Sequence, residues 1–205
     1  MDKVLVVGSG GREHALCWKI AQSPDVGVVY RATNNGVTDG GKIKSIPIDG
    51  KKKDQWKVLG DFIDQEHIAL TVIGPDDPLN DGIVDYLASR GIKRVFGPTQ
   101  AAAQLESDKF FSYDVMKEIG IPQAQSVKCF TMDDAKSALQ SDAYKNGVVL
   151  KARGLKLGKG VIVCKSNVEA LEELVKHPEL FNEGLLVAER LRGQEFSLFG
   201  ICDGT

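Results

Sequence analysis

Short apolar runs that stop at glycine, separated by stretches of helical spacing, constrain this chain more than any other feature. Val4-Leu5-Val6-Val7 stops at Gly8, Ala69 to Ile73 closes at Gly74-Pro75, and Val95-Phe96 ends at Gly97-Pro98. Such runs, apolar without alternation, predict strands buried on both faces, as in a parallel sheet. A helix is expected from about Glu13 to Gln22, ending near Ser23-Pro24, before a second strand over Val26 to Tyr30. Lys51 to Gln65 has helical spacing, with Trp56, Leu59, Phe62 and Ile63 on one face. Asn80 is expected to cap a helix reaching about Arg90. Strands alternating with helices imply an α/β layer structure with right-handed crossovers. Every strand's C-terminal end then falls on one edge, where open sheets of this kind bind ligands.

The pattern shifts near Thr99. Two helical stretches, Thr99 to Glu106 and Asp108 to Ile119, lead into Gly120-Ile121-Pro122. Strands are then expected over Ser126 to Phe130, Val148 to Lys151, Val161 to Cys164, Leu185 to Glu189 and Phe196 to Cys202. Helices are expected from Asp133 to about Tyr144 and from Asn167 to Lys176. This half reads as a small α+β domain with antiparallel hairpins, and the boundary is placed near residue 105. Asp203-Gly204 is a hairpin turn signal after a strand. A partner strand is therefore expected beyond Thr205, and the chain is expected to be a fragment.

Composition narrows the function classes. The net charge of −2 in 205 residues shows no basic excess for nucleic acid, and no basic amphipathic stretch suggests a membrane surface. A signal peptide is not expected from the opening residues, and the sequence holds no apolar run long enough to span a membrane. Cys17, Cys129, Cys164 and Cys202 are far apart and form no C-x-x-C pair, so they read as reduced, buried thiols of a cytoplasmic protein.

Two glycine loops carry the chemistry. Gly8-Ser9-Gly10-Gly11-Arg12-Glu13-His14 lies between a strand and a helix. It departs from a dinucleotide fingerprint, because Glu13 stands where the third glycine belongs and Arg31 where NAD binding wants an acid. A phosphate-bearing small molecule fits Arg12 and a helix N-terminus; a tight turn with no ligand is the competing reading. Asp76 and Asp77, in Gly74-Pro75-Asp76-Asp77-Pro78, fall on the same sheet edge. They suit either sugar hydroxyls or the start of a helix. The second loop, Lys151-Ala152-Arg153-Gly154-Leu155-Lys156-Leu157-Gly158-Lys159-Gly160, joins two strands and is not a P-loop. A cationic glycine hairpin can close over phosphates, whereas the bland alternative is a solvated basic hairpin. Lys151 ends a strongly apolar strand and is expected to point into a cleft. Glu189, followed by Arg192-Gly193-Gln194-Glu195, suits ribose hydroxyls but equally a surface ion pair.

Together these blocks resemble the phosphoribosylamine–glycine ligase family of the ATP-grasp superfamily. The resemblance rests on Gly8-Ser9-Gly10-Gly11-Arg12-Glu13-His14-Ala15, Gly74-Pro75-Asp76-Asp77-Pro78-Leu79, Gly97-Pro98-Thr99 with Ala101 through Lys109-Phe110, and Gly158-Lys159-Gly160-Val161. It runs along the whole chain, which corresponds to about the first half of a family member. It implies a Rossmann-like domain over 1–105. An incomplete ATP-grasp domain would follow over 106–205, with a nucleotide lid subdomain at about 123–187. It implies ATP-dependent joining of glycine to 5-phosphoribosylamine through a glycyl phosphate, with Mg²⁺.

By matching position, Lys109, Lys151 and Lys159 would act on the ATP phosphates. Gly158 and Gly160 would belong to the lid, Glu189 and Leu191 to the adenine site, and Glu195 to the ribose. Gly10, Gly11, Arg12, Glu13, His14 and Asp76 would face phosphoribosylamine, and the metal ligands would lie beyond Thr205. The chain departs from the family pattern at Ala32-Thr33-Asn34-Asn35-Gly36, Asp76, Arg153, Lys156, Leu157 and Ala188. Another ATP-grasp carboxylate–amine ligase and a non-catalytic nucleotide-binding module are the rival readings, with a Rossmann dehydrogenase behind them. Lys51-Lys52-Lys53 reads as a solvated helix start, His67 and His177 as solvated, and Phe110, Phe111 and Tyr113 as core.

Overall fold

The computed structural model describes residues 1–32, 41–154 and 160–202. Two compact units divide the chain, Met1–Ser112 and Tyr113–Thr205. No helix among the described residues is long and apolar enough to cross a membrane.

The first unit is built on a parallel sheet. Its strands are β1 (Asp2–Val7), β2 (Val26–Ala32), β3 (Ile43–Ile46), β4 (Leu70–Ile73) and β5 (Val95–Phe96), in the order β3-β2-β1-β4-β5. Helices α1 (Gly11–Ile20), α2 (Trp56–Gln65), α3 (Asp76–Asn80), α4 (Ile83–Ser89) and α5 (Gln100–Ser107) lie between or after them. Leu5 and Val7 point to one face and join Trp56, Leu59, Ile63, Ile83 and Leu87. Val4 and Val6 point to the other, against Leu16, Cys17 and Ile20 of α1. That two-sided burial is why β1 is apolar at consecutive positions, and each fully buried Leu or Ile stabilises the fold by about 1.5–3 kcal/mol. The chain steps outward from β1 to β3, then returns to place β4 on the other side of β1. The reversal makes the C-terminal ends of β1 and β4 the topological switch point of the sheet.

Three expectations change here. Asn80 does not start a helix; it ends the short α3, and Gly82, at φ 89°, turns the chain into α4. The left-handed backbone at Gly82 suits glycine and sets the start of α4, which lies inside the expected 80–90 span. β3 is an additional strand, short and exposed at two of its four positions, so its apolar signal is weak. α2 begins at Trp56, and Lys53–Gln55 forms a single 3₁₀ turn before it.

Helix α6 (Lys109–Glu118) runs through the division between the units, and Asp108 Oδ1 caps it by accepting from Phe110 N at 2.9 Å. Phe110 is buried, but Phe111 is 36% exposed and therefore not core.

The second unit holds an antiparallel sheet of β6 (Ser126–Cys129), β7 (Val148–Ala152), β8 (Val161–Cys164) and β9 (Leu185–Glu189), ordered β6-β9-β7-β8. Helices α7 (Met132–Ala138) and α8 (Asn167–Lys176) cover one face, packing on Cys129, Val148, Leu150, Ala152, Cys164, Leu185 and Val187. Both helices begin at hydroxyl caps. Thr131 accepts from Asp134 N, and the Asp134 carboxylate accepts from Phe130 N and Thr131 N, bonds that lower its pKa. Ser166 accepts from Glu169 N.

The helix expected over 133–144 is interrupted: α7 ends at Ala138, and a 3₁₀ turn follows at Asp142–Tyr144. No strand forms over 196–202, because no ladder partner stands beside it among the described residues. Its side chains are exposed, including Phe196 at 87% and Phe199 at 91%. Cys202 is exposed too, unlike the other three cysteines. His177 is partly exposed, and its Nδ1 lies 2.9 Å from Glu179 Oε1. The hairpin turn expected at 203–205 lies outside the described residues.

Candidate functional site

The sheet reversal of the first unit brings two sequence-predicted blocks together. The loop after β1 and the loop after β4 meet through Arg12, whose Nη1 donates to Gly74 O at 2.7 Å and to Asp76 Oδ1 at 3.1 Å. Gly10 is the N-cap of α1, and Gly11, Arg12 and His14 stand exposed on its first turn. Glu13 is different. It is 4% exposed, its Oε2 accepts from Gly10 N at 2.6 Å, and its side chain fills the space beside Gly8 and Gly74. A carboxylate in that position satisfies one free N–H of the helix start and favours the positive end of the helix dipole. Glu13 therefore shapes the loop from beneath, while Arg12, His14 and the exposed glycines form its outer surface. Asp76 opens α3 and partly neutralises Arg12.

Lys51, read as a solvated helix start, is exposed and also reaches back across the sheet edge, with Nζ 3.1 Å from Ser9 Oγ. No local pattern signals a contact across 42 residues.

In the second unit, β7 alternates. Val148, Leu150 and Ala152 face α7 and α8, so Lys151 shares the opposite face with Val149. Register sets Lys151 between Val161 of β8 and Leu186 of β9, with Ala188 opposite Val149. Leu186 and Ala188 are buried, while Val161 and Val163 at the β8 edge are 45% and 54% exposed. The face thus combines the apolar Val149, Val161, Val163, Leu186 and Ala188 with Ser126 and Lys128 of β6 and with Lys151, and Lys128 is paired with Asp114. At the root of the cationic loop, Arg153 N donates to Gly184 O at 3.0 Å, and the buried Gly160 accepts from Ala152 N at 2.7 Å. Gly158 and Lys159 lie outside the described residues.

Glu189 ends β9, and its Oε1 accepts from Gln125 N at 2.9 Å, joining the end of the strand to the segment before β6. Leu191 and Glu195 are exposed on the segment beyond β9. Lys109 is half-buried at the first position of α6, in the first unit. Among the described residues no group of three or more His, Cys, Asp or Glu side chains could hold a metal ion.

Family comparison assigns this arrangement. Residues 2–106 match the model of the phosphoribosylglycinamide synthetase N domain, and residues 107–205 match that of the phosphoribosylglycinamide synthetase ATP-grasp (A) domain. The chain belongs to the phosphoribosylglycinamide synthetase family. A phosphoribosylamine–glycine ligase of Ralstonia nicotianae is 43% identical over 209 residues, covering 98% of this chain and 47% of the relative. The trifunctional purine biosynthetic protein adenosine-3 of Gallus gallus is 42% identical, covering 99% of this chain and 20% of its own length.

Among solved structures, a phosphoribosylamine–glycine ligase from Thermotoga maritima superposes with a TM-score of 0.68 at 28% identity, covering 94% of this chain and 44% of that one. An ADP complex of an N5-carboxyaminoimidazole ribonucleotide synthetase superposes at 0.66 with 13% identity, which shows a shared fold. The chain therefore carries the family's parallel-sheet N domain and the start of its ATP-grasp domain, and it spans about half the length of the single-function relatives it matches.

Proposed function

We propose that this chain is part of a ligase that joins glycine to 5-phosphoribosylamine with ATP, in purine biosynthesis. The observation that carries the reading is the unbroken match of both units to one family, at 43% identity to a relative named for that reaction. In the proposed reaction a glycine carboxylate oxygen takes the terminal phosphoryl group of ATP, releasing ADP. The amine of phosphoribosylamine then attacks the acyl carbon, phosphate leaves, and the amine proton passes to solvent.

The chain's own part is positioning and charge neutralisation. Arg12 and the exposed glycines of the first loop would hold the phosphoribosyl group, with His14 and Asp76 at its border. Glu13 would keep that loop in shape. Lys151 would face the ATP phosphates, and Lys109 and Lys159 would add positive charge. The Gly158–Gly160 hairpin would exclude water. Glu189, Leu191 and Glu195 would border the nucleoside. Mg²⁺ supplies further neutralisation of polyphosphate when bound. The described residues provide no cluster for it, so no step is assigned through the metal. The buried thiols Cys17, Cys129 and Cys164 fit a reducing, cytoplasmic setting.

The test is ADP release by the product of the whole reading frame, with glycine and freshly made phosphoribosylamine added singly and together. ADP only with both supports the ligase. ADP with a different amine moves the chain to another ATP-grasp ligase, and none at all leaves a binding module.

A further inference from the structure

Three consecutive lysines stand at the end of the loop after β3, and the structure gives each a different role. Lys52 Nζ lies 3.9 Å from Asp49, and Lys53 Nζ sits 5.5 Å from the Trp56 ring centroid. Lys51 alone crosses to the loop after β1, meeting Ser9 Oγ at 3.1 Å. Its approach is built in. The indole N–H of Trp56 donates to Gly50 O at 3.0 Å in a buried bond, and a Cβ at Gly50 would come within 2.7 Å of Val7 Cγ1. Gly50 is thereby packed onto the end of β1, and the Lys51 backbone N–H is tied to Asp49 Oδ1 at 3.2 Å. The loop has to cross the end of β2 to achieve this, since β2 separates β3 from β1.

Charge gives the contact its meaning. Arg12, the obvious cation of the first glycine loop, is engaged by Asp76 and by the Gly74 carbonyl. Lys51 meets a neutral hydroxyl, and no carboxylate pairs with it among the described residues. The loop's uncompensated positive charge therefore comes from Lys51, a compact ammonium suited to a phosphate dianion.

We propose that Lys51 is a phosphate-recognition residue of the candidate substrate site, engaging the 5′-phosphate of the phosphoribosyl substrate beside Ser9. The inference rests on the substrate reading given above and adds a residue to it.

The experiment titrates ribose 5-phosphate, as a stable probe, into the 205-residue chain by calorimetry, with ATP titrated in parallel. Lys51→Met is expected to weaken ribose 5-phosphate about tenfold or more, the loss for one charge-assisted contact, and Lys51→Arg to stay within about threefold of wild type. ATP affinity should be unchanged in both. Lys57→Met, at a lysine whose side chain is 81% exposed and paired with Asp61, is the control and should bind ribose 5-phosphate normally. Wild-type affinity in Lys51→Met overturns the role of Lys51 and leaves the substrate reading standing. An equal loss in Lys57→Met also overturns it, because the effect is then general electrostatics. Failure of the wild type to bind ribose 5-phosphate while it binds ATP removes the substrate site and Lys51 with it.

Discussion

At the scale of single residues, burial decides more than sequence neighbourhood. Thr71 sits on β4, fully buried, and its hydroxyl has no hydrogen-bond partner among the described residues. Thr71→Val keeps the shape and removes an unpaired polar group, so it should raise the unfolding free energy by about 1 kcal/mol in urea denaturation. Cys17, Cys129 and Cys164 each have a thiol pushed up to about 11, chiefly by burial. A folded pKa above the unfolded value means that this stability is complete below about 9 and is lost as pH rises from there through 11. Comparing denaturant midpoints at pH 8 and pH 10, Cys17→Ala should lose about 1 kcal/mol less than wild type over that interval. The sequence marked Glu13 as part of a glycine loop but could not reveal its placement. Whether a carboxylate faces ligand or plugs the loop depends on Gly74, which arrives from a distant segment.

At the scale of elements, legibility follows periodicity. β1 is readable because two covered faces demand an unbroken apolar run, β4 because Val72-Ile73 stop at Gly74-Pro75 despite Thr71, and α2 because its buried positions recur at helical spacing. β3 was missed because, in a four-residue strand, only one residue is fully buried. The helix expected over 80–90 is present as α4, but it starts late, at Ile83, because backbone conformation at Gly82 rather than hydrophobicity sets the boundary. β7 shows the most direct link from pattern to site: strict alternation turns Lys151 away from the helices, onto the face it shares with Val149. Lys151→Met preserves the apolar stem and removes the charge. It should weaken ATP binding by about 1–3 kcal/mol, as measured by calorimetry, with little change in melting temperature. Unchanged ATP affinity would overturn the assignment of this face to the nucleotide.

At the scale of the whole molecule, the two units differ in how far they satisfy their own surface. The parallel sheet of the first unit has apolar cores on both faces. In the second, the segment beyond β9 carries Phe196, Leu198, Phe199 and Ile201, each at least 87% exposed. Apolar side chains so close together favour association. Replacing Phe196 and Phe199 with Ser should lower the concentration-dependent light scattering of this chain while leaving its thermal transition in place. An equal scattering increase in both proteins would count against that segment as the source.

The bond from Arg12 to Gly74 spans 62 positions of sequence. The pairing of β1 with β4 sets the two loops side by side, so this contact depends on that pairing, and closing so long a stretch of chain costs entropy. The candidate substrate site therefore exists only where the β1–β4 pairing is complete. A chain still searching for its sheet order has no functioning anion cradle to offer, so ligand capture selects molecules whose topology is already complete.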